Sequence, residues 1–232
     1  MKKPNTPLHL GPIPLVQKRA WIIPYIEGKT VLHAGATDYP LHAKKAKRGE
    51  LLHTFLRPYC SKFIGIDLAG EAIECLRRDH DITDIIHGNV EELGTLFPPE
   101  SFDVIVAGDV VEHINNVGLF FDSARKILKK DGIILVTVPN AFSIKRMLGA
   151  FLLRQERNHP DHMYYFSLMN LEQAAWRNEG TIIDMATFIY EAENRFQNRI
   201  ANIIVRTILA ITRNNFLADE LAVAIQFRTS PV

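Results

Sequence analysis

The chain has 232 residues, 47% of them hydrophobic and 23% charged, with a net charge of +1. That length and balance fit one α/β domain with a substantial core, and the near-neutral charge gives no strong nucleic-acid signal. Cys60 and Cys75 stand in no metal-type spacing and read as reduced thiols of a cytoplasmic protein. The start MKKPNTPLHLGPIPL lacks the apolar run of a signal peptide, and nothing approaches the roughly 18 apolar residues of a membrane span.

In chain order, Pro4, Pro7, Pro12 and Pro14 predict an extended arm, and residues 15–27 a helix with Pro24 near its end. Val31 to Ala34 reads as a first strand and Gly49 to Pro58 as a helix. Lys62 to Asp67 is a second strand, Glu71 to Arg78 a helix and Thr83 to His87 a third strand. Phe102 to Ala107 is a fourth strand, apolar apart from Asp103. Leu119 to Lys130 reads as an amphipathic helix closed by Lys129-Lys130-Asp131-Gly132. Ile133 to Val138 is a fifth strand. Leu168 to Asn178 and Asn194 to Arg213 read as helices, and Thr181 to Tyr190 and Leu221 to Phe227 as the last strands.

The strands are continuous apolar runs alternating with helices, which predicts a parallel sheet covered on both faces. The fold expected is α/β, Rossmann-like and doubly wound, with seven mostly parallel strands and an antiparallel last one. Its ligand lies beyond the carboxyl ends of the strands. No repeat or linker interrupts residues 1–232, so one domain is expected: an arm and helix over 1–27, a core over 28–166 and a C-terminal part over 167–232 that holds a substrate or lid region.

Four strand ends carry polar or small residues in order: His33-Ala34-Gly35-Ala36-Thr37-Asp38, then Asp67, then Gly88-Asn89-Val90, then Ala107-Gly108-Asp109. A glycine after the first strand lets backbone approach a ligand. An acid after the second accepts both hydroxyls of a ribose. A side-chain amide after the third bonds the exocyclic amine of a base. Each feature alone also fits a plain turn or a helix cap.

Together with FIGIDLAGEAIECLRR, FDVIVAGDVVEHI and LKKDGIILVTVPNAFS, these ends resemble the class I S-adenosylmethionine-dependent methyltransferases over about Gly28 to Phe166. The resemblance is to the small-molecule branch that includes the ubiquinone-pathway O-methyltransferases, and to enzymes of glycan and natural-product pathways. It implies that Ala34 and Gly35 lie under the methionine part of the cofactor and that Asp67 holds the ribose. Leu68, Asn89 and Val90 would then flank the adenine, and Gly108 would offer backbone to the methionine amino group. The sequence departs from the family pattern at several points. His33 stands where the family carries an acid, Gly35 is the only glycine of its loop, and Asn89 replaces Asp. The stretch from Gly35 to Asp67 exceeds the usual spacing of about 20 residues. Thr37 and Asp38 are expected to replace glycine backbone contacts with side-chain ones.

Asp109-Val110-Val111-Glu112-His113 is expected to form a helical turn, joined later by His159-Pro160-Asp161-His162. Two carboxylates and two imidazoles suit Mg²⁺, Mn²⁺ or Zn²⁺. The pattern is similar to metal-dependent methyltransferases of RNA 3′ ends and to the ubiquinone O-methyltransferases, which implies Asp109, Glu112, His113 and His162 as ligands. Metal-free acid–base chemistry by His113 or His162, and a purely structural role, stay open beside it.

The function expected is methyl transfer to a small metabolite, glycan or natural-product intermediate, at oxygen. The alternatives are a non-catalytic binding partner in a biosynthetic complex, an RNA 3′-end methyltransferase, and a nicotinamide-dependent oxidoreductase, which would want G-x-G-x-x-G in the first loop. On the helix over 194–213, Ile200, Ile203, Ile204, Ile208, Leu209 and Ile211 form an apolar face with Arg199, Arg206 and Arg213 outside it. That face packs on its own domain, forms a homodimer or substrate lid, or lies on a membrane for a lipid-linked acceptor.

Overall fold

A computed structural model describes residues 11–156, 158–190 and 196–227. Pro4, Pro7 and Asn194 lie outside these residues, as does the side chain of Arg199. The order is α1 (Lys18–Ile26), β1 (Thr30–Ala34), α2 (His42–Lys47), α3 (Leu52–Leu56), β2 (Lys62–Asp67), α4 (Gly70–His80), β3 (Ile85–His87), α5 (Leu93–Leu96) and β4 (Phe102–Gly108). It continues with α6 (Val117–Ile127), β5 (Leu128–Pro139), α7 (Ile144–Leu153), α8 (Leu168–Arg177), β6 (Gly180–Phe188), α9 (Phe196–Thr212) and β7 (Glu220–Phe227).

One seven-stranded sheet runs β3-β2-β1-β4-β5-β7-β6. β1 to β5 are mutually parallel, and β7 runs antiparallel to both β5 and β6. This is the Rossmann-like architecture expected. Strand order reverses between β1 and β4, which opens a crevice at their carboxyl ends.

Alternation along the strands builds the two cores. Leu32, Ala34, Ile105 and Ala107 face one side, under Phe120, Phe121, Ala124 and Ile127 of α6 and Leu171 of α8. Val31, Val104 and Val106 face the other, under Trp21, Ile22 and Ile26 of α1. Each of these buried branched or aromatic side chains contributes roughly 1.5–3 kcal/mol by leaving water. Asp103, the polar exception in β4, accepts a hydrogen bond from the Thr30 amide at 2.8 Å and pairs with Lys129 at 2.9 Å.

The residues expected to stop α6 do something else. The helix ends at Ile127, and Lys129 to Gly132 form an irregularity inside β5, between the pairs Phe102↔Leu128 and Val104↔Ile133. Asp131 takes the left-handed conformation there with φ 63. A Cβ on Gly132 would sit 2.9 Å from the Lys129 carbonyl oxygen, so backbone crowding reserves that position for glycine. Three helices were not expected: α2, formed from the basic run that reads as a solvated face, the short α5 before β4, and α7, which follows β5. The helix expected over Gly49 to Pro58 shortens to Leu52–Leu56 with a 3₁₀ turn after it.

Candidate active site

The loop after β1 turns at Gly35, with φ 71, and at Asp38, with φ 58. Any Cβ on Gly35 would lie 2.2 Å from Cγ2 of Val110, so both dihedral and space demand glycine. Asp at the second left-handed position replaces a further glycine, since its short polar side chain tolerates that region. Thr37 is fully buried and donates its amide (2.9 Å) and its hydroxyl (2.8 Å) to Oδ2 of Asp67, while Oδ1 accepts the Ala69 amide at 2.9 Å. Three neutral donors thus orient the carboxylate at the end of β2 and leave it acceptor capacity. Asp38 pairs with Lys45 at 2.6 Å. The expected side-chain substitutes for glycine backbone, Thr37 and Asp38, thus have partners within the protein.

Leu68, beside Asp67 just after β2, is 67% exposed, an apolar side chain without cover. Asn89 accepts from the Glu91 amide at 3.0 Å through Oδ1 and caps the turn over Val90 to Glu92. With Oδ1 so engaged, its NH₂ is the group left to donate, which suits a ring nitrogen better than an exocyclic amine. Val90 is buried beneath it. His33, where the family pattern has an acid, is buried and lies 3.2 Å from His53, Nδ1 to Nδ1. Burial and its neighbour His53 hold the His33 imidazole well below its usual range, so it is neutral. His53 Nε2 lies 3.2 Å from Oδ1 of Asp84, an ion-pair distance without the alignment of a hydrogen bond.

At the end of β4 the chemistry changes. Asp109 is left-handed, with φ 54, and donates its amide to the Thr137 carbonyl at 2.9 Å. That turn separates its carboxylate from the side chains that a regular helical turn would have placed beside it. Oδ2 lies 2.6 Å from Nζ of Lys18, and Oδ1 accepts from Thr137 Oγ1 at 3.2 Å. Lys18 reaches Glu220 at 2.6 Å as well, so one ammonium from α1 joins the ends of β4 and β7. Burial disfavours the charged ammonium, but the two carboxylates outweigh it and hold Lys18 above its ordinary range. Burial pushes Glu220 up to about 7 against the pull of Lys18, and the 2.6 Å contact fits the ionised form. Neither Lys18 nor Glu220 was singled out from the sequence. Their pairings span the length of the chain, and no local pattern signals them.

Glu112 is 1% exposed, and neither of its carboxylate oxygens has a hydrogen-bond partner. Burial, then the Asp109 charge, pushes its carboxyl up to about 9. Among the described residues, Glu112, His113 and His162 each bring one ligand atom to within 4.8 Å of the others; Asp109 is not part of that group. The rings of His113 and His162 meet edge to face at 4.5 Å. Nδ1 of His113 lies 3.2 Å from the Asp161 carbonyl oxygen, and Nδ1 of His162 lies 2.9 Å from Oδ1 of Asn158. These oxygens make Nδ1 the protonated nitrogen in each ring and leave Nε2 with the lone pair. Burial, then the neighbouring His113, lowers His162 to about 4.

A family model described as a methyltransferase domain matches residues 46–183, more than half of the chain. The chain belongs to this family. A ubiquinone biosynthesis O-methyltransferase from Bartonella quintana is 28% identical over 119 residues, 49% of this chain and 48% of the relative. A probable S-adenosylmethionine-dependent methyltransferase from Mycolicibacterium smegmatis is 33% identical over 79 residues, 34% of this chain and 30% of that protein. The methyltransferase described here thus spans about half the length, or less, of the curated relatives it matches. A solved S-adenosylmethionine-dependent methyltransferase from Archaeoglobus fulgidus superposes with a TM-score of 0.62 at 16% identity, covering 89% of this chain and 90% of that one. By family and by fold, this is a class I S-adenosylmethionine-dependent methyltransferase domain.

Proposed function

We propose that this methyltransferase moves the methyl group of S-adenosylmethionine to an oxygen of a small acceptor, with a divalent ion held by Glu112, His113 and His162. The observation that carries the reading is the buried, unpartnered Glu112 carboxyl beside two imidazoles at the end of β4. A buried acid without donors is costly unless a cation or a proton satisfies it.

The residues present fit the cofactor. Asp67 keeps acceptor capacity for ribose hydroxyls, Leu68 offers an apolar face to a ring, and Asn89 keeps its NH₂ as a donor. Gly35 and Gly108 keep the ends of β1 and β4 free of side chain. They fit a divalent metal too, since two imidazoles with free Nε2 and one carboxylate leave positions open for an acceptor oxygen. When bound, such an ion lowers the pKa of an acceptor hydroxyl and fixes its direction. Tyr39, Tyr164 and Tyr165 add exposed aromatic faces outside the polar cluster.

The transfer is an in-line displacement. An oxygen lone pair forms the new C–O bond as the C–S bond breaks, sulfur leaves as a neutral thioether, and the hydroxyl proton must go to a base. In the metal-bound form Nε2 of His162 would be a ligand and the acidified proton would go to solvent; in the metal-free form that Nε2, neutral at any pH well above about 4, would take it. Much of the remaining rate comes from holding donor and acceptor in line. The relatives named O-methyltransferases support oxygen as the acceptor atom.

Calorimetric titration with Mg²⁺, Mn²⁺ and Zn²⁺ tests the site. One ion per chain is expected for the wild type, with loss of binding in Glu112→Gln and in His162→Ala. No binding of any of the three, with methyl transfer that survives chelation, would leave a metal-free base at His162 in its place.

A further inference from the structure

α7 and α9 lie side by side. Ile144 of α7 and Val205 and Leu209 of α9 share a small core with Ile189 and Ala218, and Lys145 Nζ reaches Oδ1 of Asn202 at 2.7 Å. At about 100° per residue, Ile200, Ile203, Ile204 and Ile211 fall on the side of α9 opposite Val205 and Leu209. All four are exposed, Ile211 by 77%. On α7, Met147, Leu148, Phe151, Leu152 and Leu153 are exposed as well, and Phe151 by 83%. Two neighbouring helices thus present large apolar side chains outward, where most surface helices carry polar ones.

The charge of this face is one-sided. Residues 143–155 contain Lys145, Arg146 and Arg154, and residues 200–218 contain Arg206 and Arg213, with no acid in either stretch; Glu156, which follows the first, accepts from the Tyr165 hydroxyl, and Asp219, which follows the second, is buried and paired with Lys145. The whole chain is nearly neutral, at +1, so the imbalance belongs to these segments. Lys145 is paired with Asp219 at 2.6 Å, whereas Arg154, Arg206 and Arg213 are exposed around the apolar residues.

We propose that the α7–α9 face docks on the surface of an anionic lipid bilayer. Apolar side chains that enter the acyl boundary, flanked by arginines for the headgroups, are what such a surface recognises. A second copy of the chain fits less well, because a two-fold contact would bring two cationic faces together. α9 has 17 residues, and no helix among the described residues is long and apolar enough to cross a membrane, so the helices lie in the interface. The face also adjoins the candidate site. The Arg146 guanidinium sits over the Tyr165 ring at 5.3 Å and reaches Asn158, which holds His162.

Co-sedimentation of the full chain with vesicles of phosphatidylcholine containing about 30% phosphatidylglycerol, against phosphatidylcholine alone, tests the proposal. The expected partition into anionic vesicles is at least about tenfold higher and falls with salt. Phe151→Glu combined with Ile211→Glu should lower it at least about tenfold, and Arg154→Gln combined with Arg213→Gln several-fold, with unchanged melting temperatures because these side chains are exposed. Equal sedimentation with and without vesicles would overturn the proposal. So would a dimer seen by light scattering that Phe151→Glu dissociates while vesicle binding is absent.

Discussion

Two strands that flank β1 end in carboxylates, and they are held in opposite ways. Asp67, after β2, is oriented by two amides and a hydroxyl, all neutral. Asp109, after β4, is neutralised by the Lys18 ammonium, which also serves Glu220, while Glu112 nearby has no partner. Neutral donors fix a carboxylate's direction without cancelling its charge, which suits recognition of hydroxyls. The β4 end instead sets two carboxylates on one ammonium, with the unpartnered Glu112 beside two imidazoles. On the proposed function, the balance at that end depends on what binds there.

The largest effect is expected from breaking the charged end. Lys18→Met leaves Asp109 and Glu220 facing each other without a cation, and should destabilise the protein by about 3 kcal/mol. A Lys18→Met, Glu220→Gln double variant should recover much of that loss in urea unfolding. If Lys18→Met is neutral, the β4 end is not organised by this ammonium.

Gly35→Ala should cost about 2–3 kcal/mol, from a left-handed alanine and its collision with Val110. Thermal melts would show it, and an unchanged melting temperature would mean that the loop is not built as described. At the neutral end, Asp67→Ala should lower stability by about 1–3 kcal/mol, since the buried Thr37 donors lose their acceptor, and weaken binding of S-adenosylhomocysteine by the folded variant about 10–100-fold, the worth of one to two charge-assisted hydrogen bonds. Equal loss from Asp109→Ala would erase the contrast between the two ends.

The smallest effect has the clearest sign. The Glu112 carboxyl is raised from its ordinary 4.5 to about 9 in the folded protein. Its contribution to stability is full below 4.5 and is lost as pH rises through 9. Glu112→Gln should therefore stabilise the metal-free protein by about 1–2 kcal/mol at pH 8 and by almost nothing near pH 4.5. Melting curves across that range, with a chelator present, read the difference directly. With a bound divalent ion the sign should invert.

The parallel half of the sheet was legible because burial on both faces writes continuous apolar runs into β1, β2 and β4. The order of polar residues after those strands marked the crevice for the same reason: backbone ends need turns, and turns need particular residues. Lys129 to Gly132 misled because a left-handed Asp131 and a crowded Gly132 serve an irregular strand as well as a helix end. Lys18 and Glu220 were invisible because their partner lies far along the chain. α9 was found, but not its two-sided character: only its Val205 and Leu209 side is covered, while Ile200, Ile203, Ile204 and Ile211 face outward. Periodicity alone cannot tell a covered apolar stripe from an open one.

We propose that the ends of β1, β2 and β3 hold S-adenosylmethionine despite a loop with one glycine. Calorimetric titration with S-adenosylmethionine and S-adenosylhomocysteine, with NAD⁺ as control, tests it most directly. Micromolar binding of the first two, none of NAD⁺, and loss in Asp67→Ala is the result predicted. A wild-type chain that binds neither, or an Asp67→Ala variant that binds as well as wild type, would contradict it.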